Sequence, residues 1–363
     1  MPPDAAPLCP ALSRARRGSH KPCLALLAAA TLLLAACTAP RIAPPMAASG
    51  TAAPAQAPAD GVLARGDKLL VYLPGAGESL RSIAAKWLGS EEHDWQIAAA
   101  NGDIDKPQAG QPLVVPLKAV NPGGIAVDRY QTVPVLCYHR FGNGGGRMVI
   151  SPARFAAQME WLVQNGYRVV RLDRVADYLA GQGALPPRAV VVTVDDGYES
   201  FYQHAWPVLR RLNLPSTVFV YTDFIGSGQA LGWGQLQEMA ATGLVDVQAH
   251  SKTHRNLIER LPGEADDRYR QSLEQEIRGP REVLEKRLQT QVRHYAFPFG
   301  DANEQVLETL SRQRYQLAVT VTPGGNPFFA QPLMLRRTMI FGDHDLEAFK
   351  ARLQTSRRFG AEP

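Results

Sequence analysis

From residue 132 onward the chain alternates short apolar runs with amphipathic stretches. The runs predict strands at 133–138, 168–171, 189–194, 216–221, 245–249, 293–297, 316–320 and 334–340. The runs at 133–138 and 189–194 are apolar nearly throughout, the signature of buried strands. Helical patterns lie between them. In "SPARFAAQMEWLVQNG", Ser151 is placed to cap a helix and Pro152 to fill its first position. Repeated strand–helix units over about 230 residues predict an α/β domain with a barrel-like parallel sheet. An open doubly wound sheet is the alternative, but no glycine-rich phosphate loop follows any strand.

Residues 62–118 predict a separate small unit. Leu80, Ile83, Ala84 and Trp87 of "ESLRSIAAKW" form one helical stripe, "DWQIAAAN" gives a second short helix, and "GQPLVVPL" closes with a strand ended by Pro116. The order is βααβ. Ahead of it, Thr38–Gly61 holds nine Ala and five Pro in 24 residues. Such a segment cannot bury a core and predicts an extended tether, reaching roughly 70 Å at about 3 Å per residue. The first residues carry a basic stretch up to Lys21 and then "CLALLAAATLLLAAC", too short and Ala-rich for a membrane span. The expected organisation is a leader at 1–36, a tether at 37–61, the small unit at 62–118, a linker at 119–131 and the large domain at 132–358.

Composition narrows the function classes. The net charge of +5 owes much to Arg14, Arg16, Arg17 and Lys21; without the leader the balance is 35 basic against 33 acidic residues. No basic run is interleaved with aromatics, so nucleic acid is not an expected partner. Cys9 and Cys23 belong to the leader and Cys37 ends it, so Cys137 remains without an intramolecular partner.

The chemistry gathers at strand ends, which in barrel folds face one cavity. His139 follows the first strand, Asp195 and Asp196 the third, and His250 and His254 the fifth; Phe299 and Gly300 follow the sixth. Two adjacent carboxylates ending a buried strand repel each other unless a cation compensates. Asp196, His250 and His254 make a His₂–carboxylate set, three ligands with a fourth position left for water, as catalytic zinc takes.

"TVDDG", "HSKTH" and "FPFG" resemble the three main motifs of the polysaccharide deacetylase (NodB-homology, carbohydrate esterase) family, over roughly residues 132–345. "PVLCYHRF" is similar to the start of biofilm-type members, which deacetylate poly-N-acetylglucosamine. The resemblance implies a distorted (β/α) barrel in which Asp195 is the general base. Asp196, His250 and His254 would hold a divalent metal, zinc; His139 would be the general acid, and the Phe299 N–H would bind the oxyanion. Many members carry an arginine three residues before the aromatic of the third motif, where this chain has Ala296; Arg336 and Arg337 are the possible substitutes. The family's late leucine–histidine motif is not evident. His344 follows a strand without the surrounding pattern, which supports His139 as the acid. Tyr198 and Trp233 are the aromatics available to line a sugar groove.

Two further resemblances concern the N-terminal half. Gly77, Leu80, Ile83, Ala84, Asn101 and Gly110–Pro116 resemble a LysM module, a binder of N-acetylglucosamine-containing glycans. Leu34-Ala35-Ala36-Cys37 resembles a bacterial lipoprotein processing site, with Cys37 as the lipidated first residue. That implies a protein held to a membrane of the cell envelope by lipid, facing the periplasm from the outer membrane. The substrates expected are an exported poly-N-acetylglucosamine or peptidoglycan; the rival reading is a glycan-binding lipoprotein without catalysis.

Overall fold

The computed structural model describes residues 60–360, so the leader, Cys37 and most of the tether lie outside the described residues. The small unit forms β1 (Val62–Arg65), β2 (Leu69–Tyr72), α1 (Leu80–Leu88), α2 (Asp94–Ala100) and β3 (Leu113–Pro116). Its antiparallel sheet has the order β1-β2-β3, one strand more than the pattern predicts. Ser79 caps α1 through a box with Ser82, and Gly89 ends the helix at φ 78. Leu70, Ile83, Ala84, Ile97 and Val115 are fully buried at its centre. The Asn101 amide bonds both the Ile97 carbonyl and the Val114 backbone, at 2.7–2.9 Å, pinning α2 to β3.

The large domain supplies β4 (Val133–Tyr138), β5 (Arg168–Val169), β6 (Ala189–Val194), β7 (Ser216–Val220), β8 (Val245–Ala249), β9 (His294–Ala296), β10 (Leu317–Val319) and β11 (Thr338–Met339). Between them run α3 (Pro152–Gln164), α4 (Leu172–Leu179), α5 (Trp206–Leu212), α6 (Trp233–Ala241), α7 (Asp266–Leu288) and α8 (Glu304–Arg312). Parallel pairing runs β10-β9-β8-β7-β6-β4, with β5 on the start of β6 and β11 on β4. Leu335 also exchanges backbone hydrogen bonds with Ala318 and Thr320, so the segment leading into β11 joins the two edges of the curled sheet. Arg129–Gln131, inside the expected linker, is a strand paired with Ser356–Arg358.

Strand parity divides the core in two. Leu136, Tyr138, Val190, Val192, Val194, Val218 and Val220 pack with the helices. Val133, Val135, Val191, Phe219, Ala296, Val319 and Leu335 pack in a second cluster, to which α4 adds Leu172, Val175 and Tyr178. Successive strand residues point to opposite faces, so this second cluster fills the interior of the sheet.

His294 opens β9 at 1 % exposure, and its Nδ1 has no hydrogen-bond partner among the described residues. Burial pushes its pKa down to about 4. In the unfolded chain the ring titrates near 6.5, so between these values the unfolded state binds the extra proton. Stability is therefore fully present above about pH 6.5 and falls as pH drops toward 4, with about 2 kcal/mol lost by pH 5. Urea unfolding of His294→Gln should lose that much less between pH 7.5 and 5 than the wild type. Identical losses would refute the assignment.

Candidate active site

The site is built where the parallel strands leave the sheet. Tyr138 lies opposite Val194, so His139 and Asp195 emerge side by side. The Asp195 N–H still bonds the Tyr138 carbonyl at 2.9 Å; the chain then turns through Asp196 and Gly197 at φ 74 and 77. A Cβ on Gly197 would stand 2.8 Å from Val220 Cγ1, so the turn after the aspartates requires glycine. β8 delivers His250, followed by Ser251 and His254 at φ 71 and 63. Four of the eight non-glycine residues with positive φ among the described residues are Asp196, Ser251, His254 and Phe299. Backbone of this kind costs energy and persists where surrounding structure holds it, commonly at functional sites. Glu276, buried on α7, does the holding for the histidine turn. Its Oε2 accepts the N–H groups of Lys252 and Thr253 at 2.9 Å, and its Oε1 the Thr253 hydroxyl at 2.8 Å.

Asp196, His250 and His254 converge. Asp196 Oδ1 lies 3.5 Å from His250 Nε2 and 3.3 Å from His254 Nε2. Ligands bonded at 2.0–2.1 Å around a tetrahedral ion stand about 3.3 Å apart, so these atoms fit a small divalent cation. His250 Nδ1 is 2.8 Å from the Ala296 carbonyl, which can only accept; Nδ1 therefore carries the proton and Nε2 faces Asp196. Burial opposes the charged form of Asp196, but its contacts with both histidines outweigh that and hold its carboxyl far below the usual range. Burial likewise opposes a charged His250, and the two aspartates overcome it and raise the ring.

Asp195 is 2 % exposed and turned into the sheet interior, where Arg337 grips it. Both carboxylate oxygens accept guanidinium N–H groups at 2.7 Å, and Arg337 also donates to the Thr320 carbonyl at 2.8 Å and the Thr193 hydroxyl at 3.2 Å. Burial alone would push the Asp195 carboxyl up; Arg337 reverses that and holds it below its ordinary value. Of the two arginines the sequence left open, Arg337 is the partner, and Arg336 is exposed. The Cys137 thiol lies 3.5 Å from Asp195 Oδ2. A His139 ring nitrogen, Cys137 Sγ and an Asp195 oxygen lie within 4.8 Å of one another, so His139 shares the cavity with the carboxylate. Burial lowers the His139 pKa against the opposing pull of Asp195 and Asp196. His344 is engaged elsewhere: Nδ1 accepts the Phe341 N–H at 3.1 Å, and Nε2 lies 2.9 Å from Arg352.

Aromatic rings extend from the centre in one line. Phe299 meets His254 at 5.0 Å between ring centroids, His254 meets Tyr221 at 5.1 Å, Tyr221 stacks on Phe224 at 4.9 Å, and Phe224 meets Tyr198 at 5.4 Å. Arg140 lies 3.8 Å above the Tyr198 ring, and a cavity of about 390 Å³ opens there beside Gly142 and Gly144. Phe299 is 60 % exposed at φ 62; the backbone bonds of its turn are donated by Gly300 and Asp301. Trp233 is not in this line. It starts α6, packs against the helix-side core and carries Arg287 at 5.3 Å over its ring. Sequence reasoning missed Glu276, Tyr221 and Phe224. Glu276 had a signal, since it occupies a stripe position with Leu273, Ile277, Pro280 and Leu284 on α7.

Comparison with known proteins agrees with this geometry. The polysaccharide deacetylase family model matches residues 182–318. The structure of IcaB from Ammonifex degensii is 30% identical, with a TM-score of 0.55 over 62% of this chain and 98% of that one. BC0361, a polysaccharide deacetylase from Bacillus cereus, is 26% identical at a TM-score of 0.53, over 68% of this chain and 74% of that one. A poly-beta-1,6-N-acetyl-D-glucosamine N-deacetylase of Staphylococcus aureus is 22% identical over 196 residues, 51% of this chain and 67% of its own length.

Proposed function

This chain belongs to the polysaccharide deacetylase family, and from that premise we propose that it removes N-acetyl groups from an N-acetylglucosamine polysaccharide of the poly-N-acetylglucosamine type, releasing acetate. The observation that carries the reading is Asp195, buried and gripped by Arg337 beside the Asp196–His250–His254 set. A proton acceptor kept ionised next to a cation-binding triad suits amide hydrolysis.

Asp196, His250 and His254 would hold the divalent ion, zinc. When bound, such an ion polarises the amide carbonyl and makes water a nucleophile near neutral pH. Asp195 then takes the proton of the attacking water, with Arg337 keeping the carboxylate charged and in place. The Phe299 N–H stabilises the oxyanion that develops on the carbonyl. The amine leaves poorly as an anion, so His139 supplies it with a proton; the nearby Asp195 and Asp196 charges oppose the loss of the imidazolium that burial causes. The products are acetate and a free glucosamine amine. The exposed ring of Phe299 and the faces of Tyr221, Phe224 and Tyr198 offer a surface on which neighbouring sugars can stack.

Similarity to the staphylococcal enzyme supports the polymer type. Acetate release from poly-β-1,6-N-acetylglucosamine and from purified peptidoglycan, measured side by side, tests it. Greater release from peptidoglycan would reassign the substrate, and release from neither would leave a glycan-binding protein without catalysis.

Residues 62–118 belong to the same proposal as a LysM-like, glycan-retaining unit, and Cys37 as the lipid anchor in the envelope. The second part fails if Cys37→Ala protein is processed to full maturity and still partitions into detergent. The small unit docks on the large domain through a bidentate Asp94–Arg168 pair at 2.7 and 3.2 Å. A chain lacking residues 62–118 is expected to release acetate from short oligosaccharides at the wild-type rate while losing retention on insoluble glycan. Equal retention by both chains would remove the targeting role.

A further inference from the structure

A second cavity, of about 320 Å³, lies where β4 begins, with Tyr130, Phe329, Arg336, Gln354 and Arg357 among its walls. Tyr130 and Arg357 face each other across the two-stranded ribbon. The Tyr130 ring is flanked by Phe329 at 5.4 Å and Phe359 at 5.5 Å, and these phenylalanines are 61% and 55% exposed. A contiguous cluster of exposed aromatic rings beside a cavity marks a contact surface and is not ordinary protein exterior. The floor is made for one of the arginines. Gly324 stands at φ 135, and a Cβ there would meet Arg336 Cδ at 3.0 Å and Nη1 at 3.2 Å. The Arg336 side chain thus lies along bare main chain at the cavity edge.

Charge selects the occupant. Among the described residues, two guanidinium groups line the cavity and no carboxylate does. Arg336 donates to the Pro323 carbonyl at 3.4 Å, and among the described residues neither arginine has a carboxylate partner. We propose that this cavity binds an acidic sugar residue of a polysaccharide, its ring against Tyr130 and Phe329 and its carboxylate on Arg336 and Arg357. Pyranose C–H faces stack on aromatic rings, and the guanidinium fork matches a carboxylate in geometry and charge. A neutral acetylated sugar would leave the arginines without counter-charge, and a deacetylated one, an ammonium, would be repelled.

The six residues of β4 separate this cavity from His139, roughly 20 Å at the strand rise. A sugar held here is therefore not the one undergoing reaction. The site would fix the protein on an acidic glycan matrix while the catalytic end stays open to its own substrate.

Calorimetric titration of the full chain with the N-acetylglucosamine–N-acetylmuramic acid disaccharide tests the site, with chitobiose and the glucosamine disaccharide as neutral and cationic counterparts. The acidic probe should bind tightest. The double variant Phe329→Ala/Arg357→Gln, both at exposed or half-exposed positions, should weaken it by about tenfold or more. Acetate release from chitotetraose should stay within about twofold of wild type, because neither residue belongs to the catalytic centre. Unchanged affinity of the acidic probe in the variant overturns the proposal, as does an equal loss of affinity for either counterpart, or preference for phosphatidylglycerol vesicles. Binding and acetate release are separate readouts: binding without turnover would sink the function proposed above and leave this site standing.

Discussion

Asp195→Asn is expected to lower turnover by roughly 10²–10⁴ while leaving the metal bound. The substitution keeps the shape of the side chain but removes the proton acceptor, and Asp196, His250 and His254 retain their own contacts. Asp196→Asn should behave differently: weakening a charged ligand, it should lose metal and activity together. The surroundings of Asp195 add an effect that its sequence neighbourhood did not suggest. Arg337 is fully buried, and an amide can satisfy only part of its bidentate grip. Asp195→Asn should therefore also be less stable than the wild type, by up to the 3–5 kcal/mol typical of breaking a buried ion pair. Metal content per folded protein, measured with acetate release, separates these effects. If Asp195→Asn loses metal as fully as Asp196→Asn, both carboxylates are ligands and the base lies elsewhere. His139→Asn, with metal retained and turnover lost, should resemble the Asp195 variant.

Arg337→Met should cost about 3–5 kcal/mol in urea unfolding, because it strands the Asp195 charge in the sheet interior. It should also abolish most activity, since burial without the guanidinium favours the protonated acid. Arg337→Lys keeps the charge without the fork and should fall between wild type and Arg337→Met on both measures. The double variant Asp195→Asn/Arg337→Met should be more stable than Arg337→Met alone, though inactive, because neither charge is left without its partner. Additive destabilisation in the double variant would mean that the two residues do not act as a pair.

The long strands were legible because β4 and β6 coincide with continuous apolar runs, and β8, Val-Asp-Val-Gln-Ala, with a short alternating one. The short ones were overdrawn: 168–171 forms a strand only over Arg168–Val169, and 334–340 only over Thr338–Met339. Where a strand is buried on both faces, apolar residues continue past the last ladder bond, and periodicity cannot mark its end. The metal-ligand candidates were legible because each comes from a compact motif at a strand exit. Arg337 was not. Its partner lies 142 residues away, and in Leu335–Ile340 both parities carry apolar side chains, so alternation could not say which arginine turns inward. The aromatic line was hidden for a related reason: Tyr221 and Phe224 follow β7 as ordinary loop residues, and only folding sets them beside His254. Trp233, one of the two aromatics the sequence offered for a sugar groove, is spent on Arg287 and the helix-side core.

The most direct test of the account is acetate release from poly-β-1,6-N-acetylglucosamine by the full chain after chelation and after readdition of zinc, with bound metal quantified in each sample. Release should disappear with the chelated metal and return with about one equivalent of zinc, and Asp196→Asn protein should recover neither. Acetate release that persists without metal, or that Asp196→Asn restores to the wild-type level, would contradict the account.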